Sequence, residues 1–265
     1  ISSRCSARSS PARRSTRRSS TRNNGPRITG RAQHTQKETV MPQRILITGA
    51  NRGIGLEMTR QALARGDRVT AACRTPDRAD ALNALAGGHD GRLAVIEMEV
   101  REEGSVRSAT AACGPLDLIV ANAGTLNARG GLTDPGHTQD NIAESLMTNV
   151  AGVFFTARHF LARLHDGAAA RQEGTNGHDM PPRIAVISSQ MGSSERAGKT
   201  APLYRATKAA ATNLARSMAL ELAGDGIAVG AWHPGWVQTD MGGAEAAITA
   251  EESAEGLLRR FDALT

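Results

Sequence analysis

Aromatic residues are scarce in this chain. Only 3% of its 265 residues are Phe, Trp or Tyr, and Tyr204 is the single tyrosine. Apolar residues still make up 40% of the sequence, so we expect a core built mainly from Ala, Val, Leu and Ile. The length is ample for a sizeable core in one large domain or two small ones.

Long apolar runs and regular cysteine spacings are also missing. No segment approaches the roughly 18 uninterrupted apolar residues of a membrane span, so we expect no membrane insertion. The three cysteines, Cys5, Cys73 and Cys113, match neither a disulfide framework nor a metal site, and the seven histidines show no ligand spacing. We therefore expect no metal and a reducing, cytoplasmic compartment.

The net charge of +6 is unevenly distributed. Residues 1–40 hold 10 basic residues against Glu38 alone, which leaves 22 basic and 25 acidic residues for the rest. This Ser- and Arg-rich segment has no apolar period, which predicts a disordered tail. It is interpreted as an organelle transit peptide, as a nucleic-acid-binding arm, or, as we favour, as a segment that precedes the true start at Met41. A nucleic-acid role has the least support.

From residue 42 onward, short apolar runs alternate with helical patterns. The runs predict strands at 44–49, 68–73, 92–100, 116–124, 183–189 and 227–235. The helical patterns lie at 53–66, 77–87, 102–113, 138–165 and 203–223, and the polar stretch 165–182 is expected to be a surface loop. This alternation predicts one doubly wound parallel α/β domain of the Rossmann type over residues 41–265.

A glycine-rich turn joins the first predicted strand to the first helix. In ITGANRGIGL, Gly49, Gly53 and Gly55 permit a tight turn and a close approach of the backbone to a pyrophosphate. The N-terminus of the following helix favours the charge of such a group. The turn, which includes Asn51 and Ile54, therefore predicts a nucleotide site.

The end of the second strand bears on which nucleotide is bound. A carboxylate there usually holds a free ribose 2′-hydroxyl. This strand ends instead with Cys73 and Arg74, and Arg52 in the glycine turn adds a second cation. Guanidinium groups suit a 2′-phosphate, so we expect NADP(H) rather than NAD(H). The alternative is that both arginines are ordinary solvated residues.

Further motifs follow in a recognisable order. They are TGANRGIG, Asn122-Ala123-Gly124, Asn149, ISS at 187–189, Tyr204-x-x-x-Lys208 and Pro234-Gly235. Together they resemble the short-chain dehydrogenase/reductase family in its single-domain branch. The segments AACR and HPGWVQTDMGG are similar to those of C-factor and sniffer-like carbonyl reductases.

The residues themselves support a catalytic set. Tyr204 and Lys208 are four apart on a predicted helix and so lie on one face, where an ammonium is expected to lower the pKa of the phenol. Ser189 closes a strand and can donate to a carbonyl oxygen; its choice over Ser188 rests on the resemblance. Asn149 interrupts an apolar stripe and needs hydrogen-bond partners. The resemblance implies that it bends the helix and holds a water linked to Lys208.

The resemblance also implies further cofactor contacts. Those expected to line the cofactor or hold its nicotinamide and adenine are Asn122, Ala123, Gly124, Pro234, Gly235, Val237, Thr239, Glu99 and Val100. The pair Glu99-Val100 departs from the usual Asp-Val of the family. The Ser189–Tyr204 interval is slightly longer than is common, so that loop is expected to be rearranged near the substrate.

The implied function is an NADP(H)-dependent oxidoreductase that transfers a hydride between nicotinamide and a small carbonyl or alcohol substrate. A homodimer or homotetramer is implied, with the alanine-rich helix 203–223 at the interface. Relatives usually have one more edge strand than this sequence predicts, so the last edge strand is expected to be missing. The alternative function is a nucleotide-binding signalling or regulatory protein with incidental catalysis.

Overall fold

The computed structural model describes residues 42–173 and 180–265. The predicted disordered tail, with its three interpretations, lies outside the described residues. So does part of the predicted loop 165–182.

Six strands form one parallel sheet. They are β1 (Arg44–Thr48), β2 (Arg68–Cys73), β3 (Leu93–Glu97), β4 (Leu118–Ala121), β5 (Arg183–Ile187) and β6 (Ala228–Trp232). Their order across the sheet is β3-β2-β1-β4-β5-β6, so the direction of winding reverses between β1 and β4. This is the strand order of the doubly wound dinucleotide-binding fold, and the predicted fold class is confirmed.

The strands are linked through helices on both faces. These are α1 (Gly53–Ala64), α2 (Asp80–Ala86), α3 (Glu103–Ala109), α4 (Gln139–Leu146), α5 (Gly152–Glu173), α6 (Pro202–Leu222) and α7 (Ala250–Asp262). A π-helical turn, Met147–Ala151, joins α4 to α5. Within the described residues, none of these helices combines the length and the apolar character that a membrane crossing needs.

Two aliphatic cores cover the sheet. On one face α1 and α7 bury side chains such as Met58, Leu257 and Phe261 against β1, and Phe261 meets Trp232 of β6 edge-on, with ring centroids 5.0 Å apart. On the other face α3, α5 and α6 bury Phe160 and Met218 among others. The expectation of a largely aliphatic core is met on both faces.

The register brings the carboxyl ends of the strands to one edge. Thr48 at the end of β1 lies opposite Ala72 of β2, and Ile187 at the end of β5 lies opposite Trp232 of β6. The glycine turn and the segments that follow β4, β5 and β6 all leave the sheet at this edge. The predicted site residues therefore converge although they are far apart in sequence.

The structure extends one predicted helix and adds one helix that was not predicted. Part of the predicted loop 165–182 is helical, because α5 continues to Glu173, held by an Arg171 Nε–Asp117 Oδ1 contact of 2.7 Å. Helix α7 was not predicted, although Thr249 and Glu252 form a reciprocal capping box at its start. Beyond β6 the described residues add one isolated bridge between Val237 and Ile248 and no seventh strand.

Candidate active site

A cleft of about 470 Å³ opens at the carboxyl edge of the sheet, where the strand order reverses. The residues that follow β1, β2, β3, β4 and β6 line it, together with the end of β5, the start of α6, and one residue each from α4 and the π-helical turn. Open parallel sheets bind their ligands in such a crevice. The cleft is therefore the place to test the predicted site.

The glycine turn forms one end of the cleft. Gly49 and Gly53 have φ angles of +63° and +54°, which favour glycine. A Cβ on Gly55 would overlap Gly49 O, so the helix could not approach the strand as closely with a side chain there. Asn122 Nδ2 donates to Thr48 O at 2.8 Å and fixes the end of β4 against this turn.

The start of α1 fits an anion. Arg52 precedes the helix without giving it a side-chain cap, and the first turn contains no acidic residue. The amide groups of Ile54 and Gly55 therefore begin the helix beside the cleft, where their partial positive charge favours a phosphate. This local chemistry fits the pyrophosphate of a dinucleotide.

Two arginines, Arg74 and Arg101, line the part of the cleft next to β2. Arg74 follows β2, its side chain is 62% exposed, and Nη1 lies 4.0 Å from Glu99 Oε2. Arg101 Nη2 binds the same Glu99 oxygen at 3.0 Å. Burial opposes ionisation of Glu99, but the hydrogen bonds from Arg101 outweigh it and hold the pKa of this carboxyl below its usual value. The acid that replaces the family's aspartate is thus engaged by arginine.

Arg52 forms an ion pair with the segment that follows β6. Its Nη1 lies 2.8 Å from Oδ2 of Asp240, in the segment after β6, and both side chains are well exposed. A Cβ on Gly53 would lie 3.3 Å from Thr239 Cγ2, so the same segment packs on the glycine turn. The ion pair therefore links the two sides of the cleft.

Lys208 lies at the other end of the cleft and is almost fully buried, with 4% of the residue exposed. Its Nζ donates to Ile187 O at 2.9 Å. Burial lowers the pKa of this ammonium to about 8. A Cβ on Gly124 would lie 3.3 Å from Lys208 Nζ and from Asn149 Oδ1 alike, so the absence of a side chain at Gly124 makes room for both groups.

Tyr204 lines the cleft beside Lys208, whose Nζ lies 5.8 Å from the centroid of the phenol ring. Burial raises the pKa of the phenol, and a hydrogen bond with Ser189 partly opposes the rise. The predicted fall in the pKa of Tyr204 is wrong for this structure, in which the pKa is raised. Burial dominates, and the lysine directs its hydrogen bond to Ile187 O.

The two neighbouring serines have different partners. Ser188 is buried; its Oγ bonds with Lys208 O at 3.0 Å and with Thr212 Oγ1 at 2.6 Å, so it fastens β5 to α6. Ser189 begins a short 3-10 turn and accepts a hydrogen bond from Met191 N at 3.1 Å, and its hydroxyl acts to lower the pKa of the Tyr204 phenol. Ser188 lines the cleft and Ser189 does not, but Ser189 is the serine whose hydroxyl acts on the pKa of the tyrosine.

Asn149 lies in the π-helical turn and is fully buried. Its Oδ1 accepts from Thr125 N at 2.8 Å, and its Nδ2 donates to Thr125 O at 2.9 Å and to Thr207 Oγ1 at 3.0 Å. The predicted interruption of the helix is present at this residue. Asn149 does not line the cleft; it holds the chain after β4 and the residue before Lys208.

Comparison with known proteins agrees with this geometry. The family model for short chain dehydrogenase matches residues 43–248. This chain belongs to the short-chain dehydrogenase family. The resemblance proposed from the motifs is thereby confirmed.

Individual members of the family are also similar to it. The C-signal of Myxococcus xanthus is 34% identical over 158 residues, which cover 59% of this chain and 87% of C-signal. The carbonyl reductase Sniffer of D. melanogaster matches with a TM-score of 0.76 at 26% identity, over 84% of this chain and 92% of Sniffer. The NADPH-bound carbonyl reductase from chicken fatty liver gives 0.74 at 33% identity, over 85% and 93%.

Most site residues predicted from the short-chain dehydrogenase motifs line the cleft. They are Gly49, Asn51, Arg52, Gly53, Ile54, Gly55, Arg74, Glu99, Val100, Asn122, Ala123, Gly124, Tyr204, Lys208, Pro234 and Thr239. Four predicted residues do not line it, namely Asn149, Ser189, Gly235 and Val237. Gly235 has a φ of +96° and packs on Ile248, while Val237 is buried and bridges to the same residue, so both shape the segment after β6.

A second group of lining residues was not among the predicted site residues. These are Cys73, Met98, Arg101, Thr125, Glu144, Thr148, Ile187, Ser188, Gln238, Asp240 and Met241. Cys73 and Ile187 end predicted strands, and that position was a usable signal. Glu144 and Thr148 come from α4 and the π-helical turn, and no sequence pattern places them here. Among the described residues no cluster of His, Cys, Asp or Glu is arranged to hold a metal ion.

Proposed function

We propose that this chain is an NADP(H)-dependent oxidoreductase that transfers a hydride between nicotinamide and a small carbonyl or alcohol substrate. The observation that carries the proposal is the buried Lys208, which lies at one end of a cleft beside Tyr204 and Ser189. A buried ammonium beside a phenol is costly for a purely structural role and typical of a catalytic one. The glycine turn at the other end supplies the place for a dinucleotide.

The three side chains divide the proton chemistry of carbonyl reduction. A bound reduced nicotinamide supplies the hydride that adds to the carbonyl carbon. Ser189 Oγ donates a hydrogen bond to the carbonyl oxygen and stabilises the negative charge that develops there. Tyr204 Oη gives its proton to that oxygen, which completes the alcohol. The raised pKa of Tyr204 keeps this proton in place at neutral pH.

Lys208 and Asn149 support this step. The Lys208 ammonium stabilises the phenolate left on Tyr204, and its pKa of about 8 allows it to lose and regain a proton near neutral pH. Asn149 holds Thr125 and Thr207 in place and so fixes the walls around the lysine. Its role is positioning.

The preference for NADP(H) rests on charge. The end of β2 has Arg74 where a carboxylate would hold a free ribose hydroxyl, and Arg52 of the glycine turn lines the same cleft. Glu99 is engaged by Arg101 at 3.0 Å, which limits its repulsion of a phosphate. A 2′-phosphate is therefore favoured over a 2′-hydroxyl at this end of the cleft.

We also propose a cytoplasmic homo-oligomer. Both described cysteines, Cys73 and Cys113, are buried free thiols, which is consistent with the reducing environment of the cytoplasm.

Three exposed apolar side chains support the assembly. Leu146, Met147 and Phe154 lie close together in sequence on α4, the π-helical turn and α5, which favours a surface that a second copy of the chain covers. Light scattering on the purified protein measures the number of copies; a monomer at micromolar concentration would contradict the assembly.

The test of the function compares wild type with Tyr204→Phe. Wild type is expected to consume NADPH with some members of a panel of aldehydes and ketones, and to use NADH less well. The phenylalanine variant should lose about 10²- to 10⁴-fold in turnover, because it has no proton to give. Its NADPH dissociation constant, measured by fluorescence, should stay within about twofold of wild type, because the rest of the cleft is intact. Unchanged turnover in the variant would overturn the assignment.

The similarity to C-signal favours a second candidate, a nucleotide-binding signalling protein. This candidate predicts that wild type binds NADPH but consumes none with any carbonyl compound of the panel. Turnover that depends on Tyr204 would exclude it as the sole function. The same experiment therefore distinguishes the two candidate functions.

A further inference from the structure

The loop between Ser189 and Tyr204 has an internal support that the proposed mechanism does not use. It begins with the 3-10 turn Gln190–Gly192 and then runs without regular structure to the start of α6. Its first residues follow Ser189 and its last residues precede Tyr204, so the loop connects the two residues whose hydroxyl groups the proposed mechanism uses.

The support is the guanidinium of Arg205, the residue after Tyr204. Its Nη1 donates to Arg196 O at 2.9 Å and to Met191 O at 3.3 Å, and its Nε donates to Thr200 O at 2.9 Å. The three carbonyls come from the beginning, the middle and the end of the loop. One side chain on α6 therefore holds the whole segment 191–200.

Two glycines of the loop allow it to pack closely against Arg205 and α6. A Cβ on Gly198 would overlap the guanidinium of Arg205, so only glycine leaves room for the observed position. A Cβ on Gly192 would lie 2.6 Å from the backbone carbon of Lys208, so the loop also packs directly on α6. The packing is specific to this arrangement of loop and arginine.

The far end of the loop is fastened to the segment after β4. Ala201 is buried in a left-handed conformation with φ of +50°, which is uncommon for a residue with a Cβ. Its N–H is shared between Gly130 O at 2.8 Å and Arg129 O at 3.2 Å. A strained residue persists where its surroundings determine it, which indicates that the position of this loop is fixed by many contacts.

We propose that Arg205 is a positioning residue that fixes the shape of segment 191–200 and thereby sets which carbonyl substrates reach Tyr204 and Ser189. The inference rests on the proposed function. Arg205 acts through the loop and is not among the residues that line the cleft. It is therefore expected to control substrate binding and selectivity without changing cofactor binding.

The first arm of the test uses Arg205→Ala and Arg205→Lys, with Arg216→Ala on the exposed side of the same helix as control. Removing three hydrogen bonds from a charged donor should raise KM for the best carbonyl substrate about tenfold or more, with kcat changed less than about threefold. The dissociation constant for NADPH should not change. The lysine variant should fail to restore KM, because an ammonium cannot span the three carbonyls as a planar fork does.

The second arm follows amide hydrogen exchange in residues 191–200 and does not depend on activity. Exchange there should accelerate in Arg205→Ala and stay at the wild-type rate in Arg216→Ala. If wild type shows no turnover, the proposed function fails, and this arm still decides whether Arg205 holds the loop. Unchanged exchange would overturn the inference.

A third arm is a double-mutant cycle with Gly198→Ala. Alone, this change displaces the guanidinium and should raise KM in the same direction as Arg205→Ala. In the Arg205→Ala background it should add nothing, because the group that it displaces is gone. Additive effects of the two changes on KM would overturn the inference. So would an Arg205→Ala variant whose KM equals that of the wild-type protein, provided that the wild-type protein is active.

Discussion

Replacing Lys208 with methionine is expected to stabilise the protein in the absence of nucleotide while it abolishes turnover. The side chain is nearly inaccessible to water and donates to one carbonyl, Ile187 O. Its pKa falls from 10.5 to about 8 because of burial. At neutral pH the folded protein therefore holds a charge that its surroundings disfavour, and an apolar side chain of similar length removes this cost.

The magnitude follows from the pKa. A shift from 10.5 to about 8 corresponds to about 3 kcal/mol at about 1.4 kcal/mol per unit. Leaving Ile187 O without its donor costs about 1 kcal/mol. The free energy of unfolding should therefore rise by about 2 kcal/mol at pH 7, which corresponds to about 4–8 °C in melting temperature for a domain of this size.

The dependence on pH has a definite sign. The folded pKa of Lys208 lies below the unfolded one, so the penalty is complete below about pH 8. Between about pH 8 and 10.5 the unfolded chain binds more protons than the folded one, and the stability contributed by this group rises with pH. The difference between wild type and Lys208→Met should therefore shrink across this window.

Urea unfolding without nucleotide, at pH 7 and pH 10, measures both effects. Lys199→Met is the matched control, because Lys199 is exposed on the loop before α6. It should leave the free energy of unfolding unchanged. A Lys208→Met protein that is no more stable than wild type at pH 7, or an advantage that is equal at both pH values, would refute the reasoning.

The remaining predictions concern the two sides of the cleft. Gly55→Ala should weaken NADPH binding at least about tenfold and lower the melting temperature, because the added Cβ would overlap Gly49 O. Gly87→Ala is the control: its Cβ would have no neighbour within 4 Å, so both the NADPH dissociation constant and the melting temperature should stay unchanged. Asp240→Asn releases Arg52 from its ion pair and should lower the NADPH dissociation constant about two- to fivefold in a titration at low salt, with NADH unchanged. Equal effects on the two cofactors would show that Arg52 does not contact the 2′-phosphate.

Much of the fold follows from local patterns. The run RVTAAC predicts a strand at 68–73, and β2 has these bounds. Helix α7 was not predicted, although the sequence carries its capping box at Thr249 and Glu252. The last turns of α5 could not be predicted, because an Arg171 contact with distant Asp117 overrides a polar sequence that favours a loop.

The site was predictable where a motif marks it. The glycine turn, Tyr204 and Lys208 line one cleft because strand ends in a parallel sheet share an edge. The rise in the pKa of Tyr204 could not be predicted, since sequence spacing shows which charge is near but not how far water is excluded. The ion pair of Arg52 with Asp240 and the contacts of Arg205 likewise depend on how loops pack, for which the sequence holds no periodic signal.

The central claim is that a hydride passes from the nicotinamide to a carbonyl carbon beside Tyr204. NADPH that carries deuterium at the transferable C4 position, incubated with a carbonyl compound that the protein reduces, tests this directly by mass spectrometry of the alcohol. The account predicts one deuterium on the former carbonyl carbon, from only one of the two C4 stereoisomers, and essentially no labelled alcohol with Tyr204→Phe. An alcohol free of deuterium from both stereoisomers, or equal labelling by the Tyr204→Phe variant, would contradict it.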